Sequence, residues 1–396
     1  MEVTVRNKDS LWYFSQLFDI PFVLIEKSNP KLDAKQLNAG QTIQIPGYIL
    51  SEYIINKEDT LWKIAIRHNI PMDALTLVNP FVNHYSIQAG QQIFIPERVN
   101  DLIVTDVDHY TYEEMIKAIN QLIKVYPFIT AQSIGQSVMG KDLIELQIGM
   151  GDKHVHVNGS FHANEWITSA VIMNFLNQYA LSLTNNQSIN GIYLLSLYID
   201  SSLSIVPMVN PDGVNLVLNG LDAAGSFHDE VQILNHPEED FSNWKANIRG
   251  VDLNKQYPAL WEKEANRKTK SPGPRDYPGQ HPLSEPEAIA MADLAKTENF
   301  SRVLAIHTQG KEIYWGFKNF EPAISAIMVE EFVRVSGYAA IKNLDNYAGF
   351  KDWFIQEFGR PGFTIELGSG VNPLPIKQFP AIYQESLAIL LASLYL

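Results

Sequence analysis

The chain has 396 residues, 46% of them hydrophobic and 19% charged, a composition that suits globular folding and a length that exceeds one ordinary compact core. A formal net charge of −14 with no run of Lys and Arg argues against nucleic acid or an anionic membrane surface as partner, and most of that charge follows residue 97, because the first 97 residues carry 8 basic and 10 acidic groups. Cysteine is absent, which excludes disulfides, thiolate ligands and a cysteine nucleophile, so any metal must be held by His, Asp or Glu.

The first residues, MEVTVRNKDSLWYF, show no basic segment followed by an apolar run. No later stretch reaches the roughly 18 uninterrupted apolar residues of a membrane span. The expectation is no export signal and no membrane insertion.

A repeat follows at an offset of 50 residues: Ser10-Leu11-Trp12 returns as Thr60-Leu61-Trp62, Asn29-Pro30 as Asn79-Pro80, Ala39-Gly40 as Ala89-Gly90, and Ile45-Pro46 as Ile95-Pro96. Each copy opens on an alternating strand (EVTVR, EYIIN), passes a Ser or Thr able to cap a helix, halts at Asn-Pro, and closes through a Gly-Gln turn into IQIP or IFIP. This predicts two small β-α-α-β modules, at 1–47 and 51–97. The copies resemble the lysin motif (LysM), which implies binding to N-acetylglucosamine-containing glycans such as peptidoglycan. The resemblance points to the loops around Asp9, Ser10, Leu11 and Pro30, and around Asp59, Thr60, Leu61 and Pro80, as glycan contacts. The plainer alternative places Leu11, Trp12, Leu61 and Trp62 in two small cores.

Residues 98–108 read as a polar connector. From 109 to 396 long amphipathic helices (TYEEMIKAINQLIKVYP, SEPEAIAMADLAKTE) alternate with apolar strands (HVHVNGSFH, SRVLAIHTQG), which predicts an α/β domain built on a mixed sheet covered by helices.

Within that domain GSFHANEW sets His162 and Glu165 three residues apart where a strand gives way to a helix beginning near Trp166, a spacing that lets an imidazole and a carboxylate converge on one ion. A third ligand would come from His307 at the end of an apolar strand, on the sheet edge where open α/β sheets carry their sites. His154 and His156 form a competing pair that reads more simply as packed or surface residues. His68, His84, His228, His236 and His281 lie in polar or turn-like segments and read as solvated. In FTIELGSG an apolar strand delivers Glu366 just before a glycine-rich turn, either as an exposed strand end or as the non-ligating carboxylate that metal-assisted hydrolysis needs to take a proton from water. The stretch RGVDLNKQYP adds Arg249 as a cation for a developing oxyanion, Asp252 as an acceptor that orients a ligating imidazole, and Asn254 and Lys255 to hold substrate, with surface ion pairing as the alternative for each.

The order His-x-x-Glu, Arg…Asp-x-Asn, His and a late Glu resembles the zinc carboxypeptidase family over nearly all of 109–396, with VNPDGV, NWKANIRGVDLN, KDWF and FTIELG as further landmarks. The resemblance implies one zinc held by His162, Glu165 and His307, Glu366 as general base and acid, Arg249 as polariser of the scissile carbonyl, Asp252 behind a ligand, and Asn254 on a substrate carboxylate. The sequence departs from the family where exopeptidases follow that Asn with Arg: here it is Lys255, a point charge without the bidentate fork. The family tyrosine aligns with Leu344 without a gap, and Tyr347 stands nearby. Lys351 falls where the family reads the substrate side chain, which favours an acidic group.

Two lysin motifs ahead of so altered a domain resemble the γ-D-glutamyl-L-diamino acid endopeptidases of sporulating bacilli. That likeness implies cleavage between the γ-carboxyl of D-Glu and meso-diaminopimelate or lysine in peptidoglycan stem peptides, in the cytoplasm of a sporulating cell or at the wall or spore after release. The rivals are a carboxypeptidase trimming acidic C-terminal residues, a non-catalytic peptidoglycan-binding protein, and a metal-dependent deacylase or amidase on the same fold.

Overall fold

The computed structural model describes residues 1–83, 86–342 and 345–396, so His84 and Leu344 lie outside the described residues. Each repeat folds as a strand, two short helices and a strand: β1 (Glu2–Thr4), α1 (Leu11–Phe18), α2 (Phe22–Ser28) and β2 (Thr42–Gln44), then β3 (Tyr48–Ile54), α3 (Leu61–Arg67), α4 (Met72–Leu77) and β4 (Gln92–Arg98). The two strands of each module pair antiparallel. Ser10 and Thr60 cap α1 and α3, their hydroxyls each accepting a backbone N–H at 3.1 Å, from Tyr13 and Lys63.

The asparagine of each Asn-Pro pair does more than halt a helix. The Asn79 amide donates to Leu75 O at 2.8 Å and Phe94 O at 2.7 Å while its oxygen accepts from Phe94 N at 2.8 Å, and Asn29 repeats the pattern with Ile25 and Gln44. One carboxamide thus splices the second helix to the closing strand. Leu11 and Leu61 are buried at 0% and 3% exposure, whereas Trp12 and Trp62 stand 64% and 65% exposed. The core alternative therefore holds for the leucines and fails for the tryptophans, which lie one helical residue further round, off the buried stripe.

Residues 1–103, 119–130 and 177–195 form one compact unit and the remainder a second. After α5 (Tyr112–Val125) come β5 (Thr130–Gln136), β6 (Asp142–Gly149), β7 (Lys153–Asn158), α6 (Ile167–Thr184), a short ribbon of β8 (Ser188–Ile189) and β9 (Ile192–Tyr193), α7 (Leu194–Asp200), β10 (Ser201–Val206), α8 (Pro211–Asn219) and α9 (His228–Asn235). Then follow α10 (Trp261–Arg267), α11 (Pro286–Thr297), β11 (Arg302–Thr308), β12 (Glu312–Trp315), α12 (Ile324–Ser336), β13 (Ala339–Lys342), α13 (Phe350–Phe358), β14 (Gly362–Leu367) and α14 (Phe379–Tyr395).

Eight of these strands form one mixed sheet in the order β13-β12-β14-β11-β7-β10-β6-β5. Its centre, β10-β7-β11-β14, is parallel, and antiparallel partners flank it at β6 and β12. Every residue of β11 is buried, as a strand covered on both faces requires. Because β7, β11 and β14 run the same way, their C-terminal ends share one edge. The turn that leaves β7 there depends on Gly159, where a Cβ would lie 2.7 Å from the Ile172 side chain and 3.0 Å from Pro207 O.

Candidate metal centre

Beyond Gly159 the backbone stays extended at His162 and then closes a 3-10 turn, Ala163–Glu165, which brings Glu165 back beneath the imidazole. His162 Nδ1 is 2.8 Å from Glu165 Oε1, and His307 Nδ1, at the end of β11, is 2.9 Å from Glu165 Oε2. The two Nδ1 atoms are 3.2 Å apart, and the potential ligand atoms of all three buried residues lie within 4.8 Å of one another. Burial works to raise the Glu165 carboxyl, but the two imidazoles hold it well below the carboxylate range.

The far nitrogens are also committed. His162 Nε2 is 3.2 Å from Asp252 Oδ1, and His307 Nε2 is 3.2 Å from Asn254 Nδ2. Glu165 is further fixed by Thr308 N at 3.3 Å and Asn372 Nδ2 at 3.3 Å. Two oriented imidazoles and a carboxylate, closed in on themselves and backed by partners, fit zinc. Glu366 stands beside His307 in the register of β14 against β11. Burial raises its pKa to about 8, against the pull of His307.

A cavity of about 300 Å³ opens on this cluster, lined by His162, Glu165, Glu366 and Asn254 together with Lys245, Lys255, Arg275, Tyr314, Lys351 and Asn372, among others. It brings together most of the residues expected from the sequence, with corrections at Arg249 and Tyr347. Arg249 is not among its lining residues; its side chain, 47% exposed, sits 3.6 Å from Glu285 and borders a different cavity with Phe227 and Tyr277. Lys245, by contrast, lines the cavity with its Nζ 2.9 Å from Asp252 Oδ2; burial works to lower its pKa, but Asp252, with Glu165 and Asp276 behind it, raises it. Tyr347 is buried away from the cavity, its hydroxyl bonded to Asp345, Lys263 and Lys318, and Tyr314 lines the cavity instead.

Asn254 lines the cavity with its Nδ2 3.2 Å from His307 Nε2, while its Oδ1 accepts from Phe350 N at 3.0 Å. Lys255 forms a buried ion pair with Glu264 at 2.9 Å and reaches Asn346. Lys351 pairs with Asp352 at 2.5 Å and donates to Gly316 O. His156 is fully buried, stacks on Phe300 and bonds to Ser204, and desolvation drops its pKa to about 3, which makes it a neutral core residue. His228, His236 and His281 are exposed, as expected.

Sequence reasoning missed Lys245, Arg275, Tyr314 and Asn372. Lys245 was open to discovery, since it lies in the same NWKANIRGVDLN run; Asn372 carries no motif and reaches Glu165 only through the fold. Among the glycan candidates, Asp9 accepts from Arg6 and Asp59 from Asn56 N and Tyr53. Ser10 and Thr60 serve as caps, Pro30 and Pro80 are exposed, and Leu11 and Leu61 are buried.

Comparison with known proteins agrees with this geometry. The zinc carboxypeptidase family model matches residues 115–389, and the LysM domain model matches 3–46 and 53–96. The chain is 58% identical over 396 residues, the full length of both, to a protein of Lysinibacillus sphaericus named gamma-D-glutamyl-L-diamino acid endopeptidase 1. It is 46% identical over 303 residues to the uncharacterized protein YqgT of Bacillus subtilis, covering 75% of this chain and 80% of that one. Among solved structures it resembles bovine thrombin-activatable fibrinolysis inhibitor (TM-score 0.58, 19% identity, 73% of this chain and 97% of that one) and carboxypeptidase A of Helicoverpa armigera (TM-score 0.52, 18% identity, 88% and 98%). No helix among the described residues is long and apolar enough to cross a membrane. With the His-Glu-His cluster at the sheet edge and the match across most of its length, the chain belongs to the zinc carboxypeptidase family and carries two LysM domains ahead of its catalytic domain.

Proposed function

We propose that the catalytic domain hydrolyses the amide bond between the γ-carboxyl of D-Glu and the L-centre of a diamino acid in peptidoglycan stem peptides, while the LysM modules hold the enzyme on the glycan. The observation that carries this reading is the buried pair of Lys255 and Glu264. At the position where family exopeptidases place an arginine for the substrate's terminal carboxylate, this chain has a lysine already neutralised by its own glutamate. The triad and Glu366 are retained, so peptide hydrolysis is kept and the exopeptidase anchor is lost. The full-length likeness to a relative named for this cleavage, with both LysM modules, supports the same choice.

In the proposed mechanism His162, Glu165 and His307 would hold the zinc, which when bound would supply Lewis-acid polarisation and acidify water. Glu366, beside His307 in the register of β14 against β11, takes a proton from water as it attacks the γ-carbonyl. Lys245 meets the oxyanion that develops with the protons its ammonium does not spend on Asp252. Glu366 then gives the proton to the departing amine. Asp252 acts through the His162 imidazole that it positions, accepting from Nε2. The substrate is met as wall material or released muropeptides of a sporulating cell.

Mass spectrometry of products from purified muropeptides tests the reading. Release of diaminopimelate, lysine or their D-Ala dipeptides is expected. Loss of terminal D-Ala alone would instead establish the carboxypeptidase, and no cleavage by zinc-loaded protein would establish the binding protein.

A further inference from the structure

The cavity is lined by four cationic side chains besides His162: Lys245, Lys255, Lys351 and Arg275. Three are neutralised by the protein's own carboxylates, Lys245 by Asp252 at 2.9 Å, Lys255 by Glu264 at 2.9 Å and Lys351 by Asp352 at 2.5 Å. Arg275 is different. Its side chain is exposed at the rim, and among the described residues no carboxylate lies within ion-pairing distance of it. The neighbouring Asp276 is engaged with Lys268 at 3.2 Å.

The segment that carries Arg275 is nonetheless firmly placed. Pro274 O accepts from Lys245 N at 2.9 Å and Ala246 N at 3.0 Å, Tyr277 O accepts from Asp252 N at 2.7 Å, and Gly273 N donates to Gly250 O at 3.1 Å. Arg275 is therefore pinned on both sides to the strip that bears Lys245 and Asp252, the strip that in turn touches His162. A guanidinium with a fixed base and a free fork is a carboxylate receptor, because its paired N–H groups match the two oxygens of one carboxylate.

We propose that Arg275 receives the free α-carboxylate of the D-Glu residue whose γ-carbonyl is cleaved, and so selects stem peptides in which that group is not amidated. The assignment rests on the substrate reading above. That α-carboxylate is joined to the scissile carbonyl by a short side chain, about 5 Å end to end, so a carbonyl seated at Lys245 carries it along the same strip. The diaminopimelate carboxylates belong to the leaving amine and depart from the opposite side of the scissile bond.

The test uses the full-length, zinc-loaded protein and two synthetic tripeptides, L-Ala-γ-D-Glu-meso-diaminopimelate and the same peptide with the D-Glu α-carboxylate converted to a carboxamide. Wild type should favour the acid over the amide by roughly 10- to 100-fold in kcat/KM, the range expected for one charge-assisted contact. Arg275→Gln should bring that ratio close to one by losing activity on the acid alone, and Arg275→Lys should fall between. The same loss should appear in calorimetric binding of the acid peptide in the Glu366→Gln background. Because Arg275 is exposed, neither substitution threatens the fold, and an unchanged thermal transition confirms it. A ratio that Arg275→Gln leaves unaltered would overturn the assignment alone. So would a loss that disappears when lysine replaces diaminopimelate, since the guanidinium would then be reading the other carboxylate. A wild type that cleaves neither peptide would overturn the substrate reading, and this assignment with it.

Discussion

Replacing Lys245 by Met, set against replacing Arg249 by Met, tests which cation serves the scissile carbonyl. Lys245 Nζ lies 2.9 Å from Asp252 Oδ2, with side chains 16% and 0% exposed. Removing it takes away an oxyanion donor, for which a loss of about 10²- to 10³-fold in kcat is expected. It also strands the buried Asp252 charge; breaking such a pair destabilises by about 3 to 5 kcal/mol. Arg249, 47% exposed and 3.6 Å from Glu285, belongs to the class of surface pairs worth about 1 kcal/mol or less. Arg249→Met should therefore keep turnover within a few fold of wild type. Lys245→Arg separates the two effects: it keeps a cation for Asp252, and its thermal transition should recover more fully than kcat, because the guanidinium presents its protons from a different place. Steady-state kinetics on a stem tripeptide, thermal unfolding and zinc content are measured for all three variants. Near-normal turnover in zinc-loaded Lys245→Met, together with a hundredfold loss in Arg249→Met, would refute the reasoning and restore Arg249 to the site.

Glu366→Gln should cost several orders of magnitude in kcat with zinc retained by elemental analysis, since the side chain pairs in register with His307 without being one of the three ligands; substantial residual activity would remove it as base. Glu287 is fully buried and desolvation raises its pKa from 4.5 to about 8, so the folded protein holds a proton that the unfolded chain releases above about pH 4.3. Stability then declines as pH rises between those values; Glu287→Gln should show a gain in Tm over wild type that grows from pH 5 to pH 8, and a pH-independent difference would contradict this. Asn79→Ala deletes three buried or part-buried hydrogen bonds that tie α4 to β4, for an expected cost of about 2 to 4 kcal/mol. Hydrogen exchange should accelerate across 53–96 and peptidoglycan pelleting should weaken, with kcat on a soluble tripeptide unchanged.

What could be read from the sequence divides along a physical line. The module repeat was legible because caps, turns and helix stops are local, and a 50-residue offset repeats them side chain by side chain: Ser10 accepts from Tyr13 N as Thr60 does from Lys63 N, and Asn29 donates to Gln44 O as Asn79 does to Phe94 O. The triad and Glu366 were legible because strand ends announce themselves: an apolar run must stop where a polar side chain leaves the sheet, and β7, β11 and β14 all stop at the same edge.

Charge pairing was not legible, and the readings of Arg249, Lys255, Lys351 and Tyr347 strained on it. Whether a cation is free depends on which carboxylate the fold delivers to it, and the partners can be remote: Glu285 for Arg249 is 36 residues away, and Asn346, which Lys255 reaches, is 91. Even a partner only nine residues off, Glu264 for Lys255, is hidden, because the pair forms through the start of α10 rather than along one helix face. A motif fixes which charge stands at a position; only the fold fixes whether that charge is already spent. Lys255 and Arg275 show the consequence in opposite directions. The lysine occupies the family's anchoring position and is neutralised in place, while the arginine belongs to no motif and alone among the cavity's four cationic side chains has no carboxylate partner among the described residues. Specificity in this enzyme therefore has to be sought by pairing each cation with its counter-charge first, and asking afterwards which of those left over a substrate could reach.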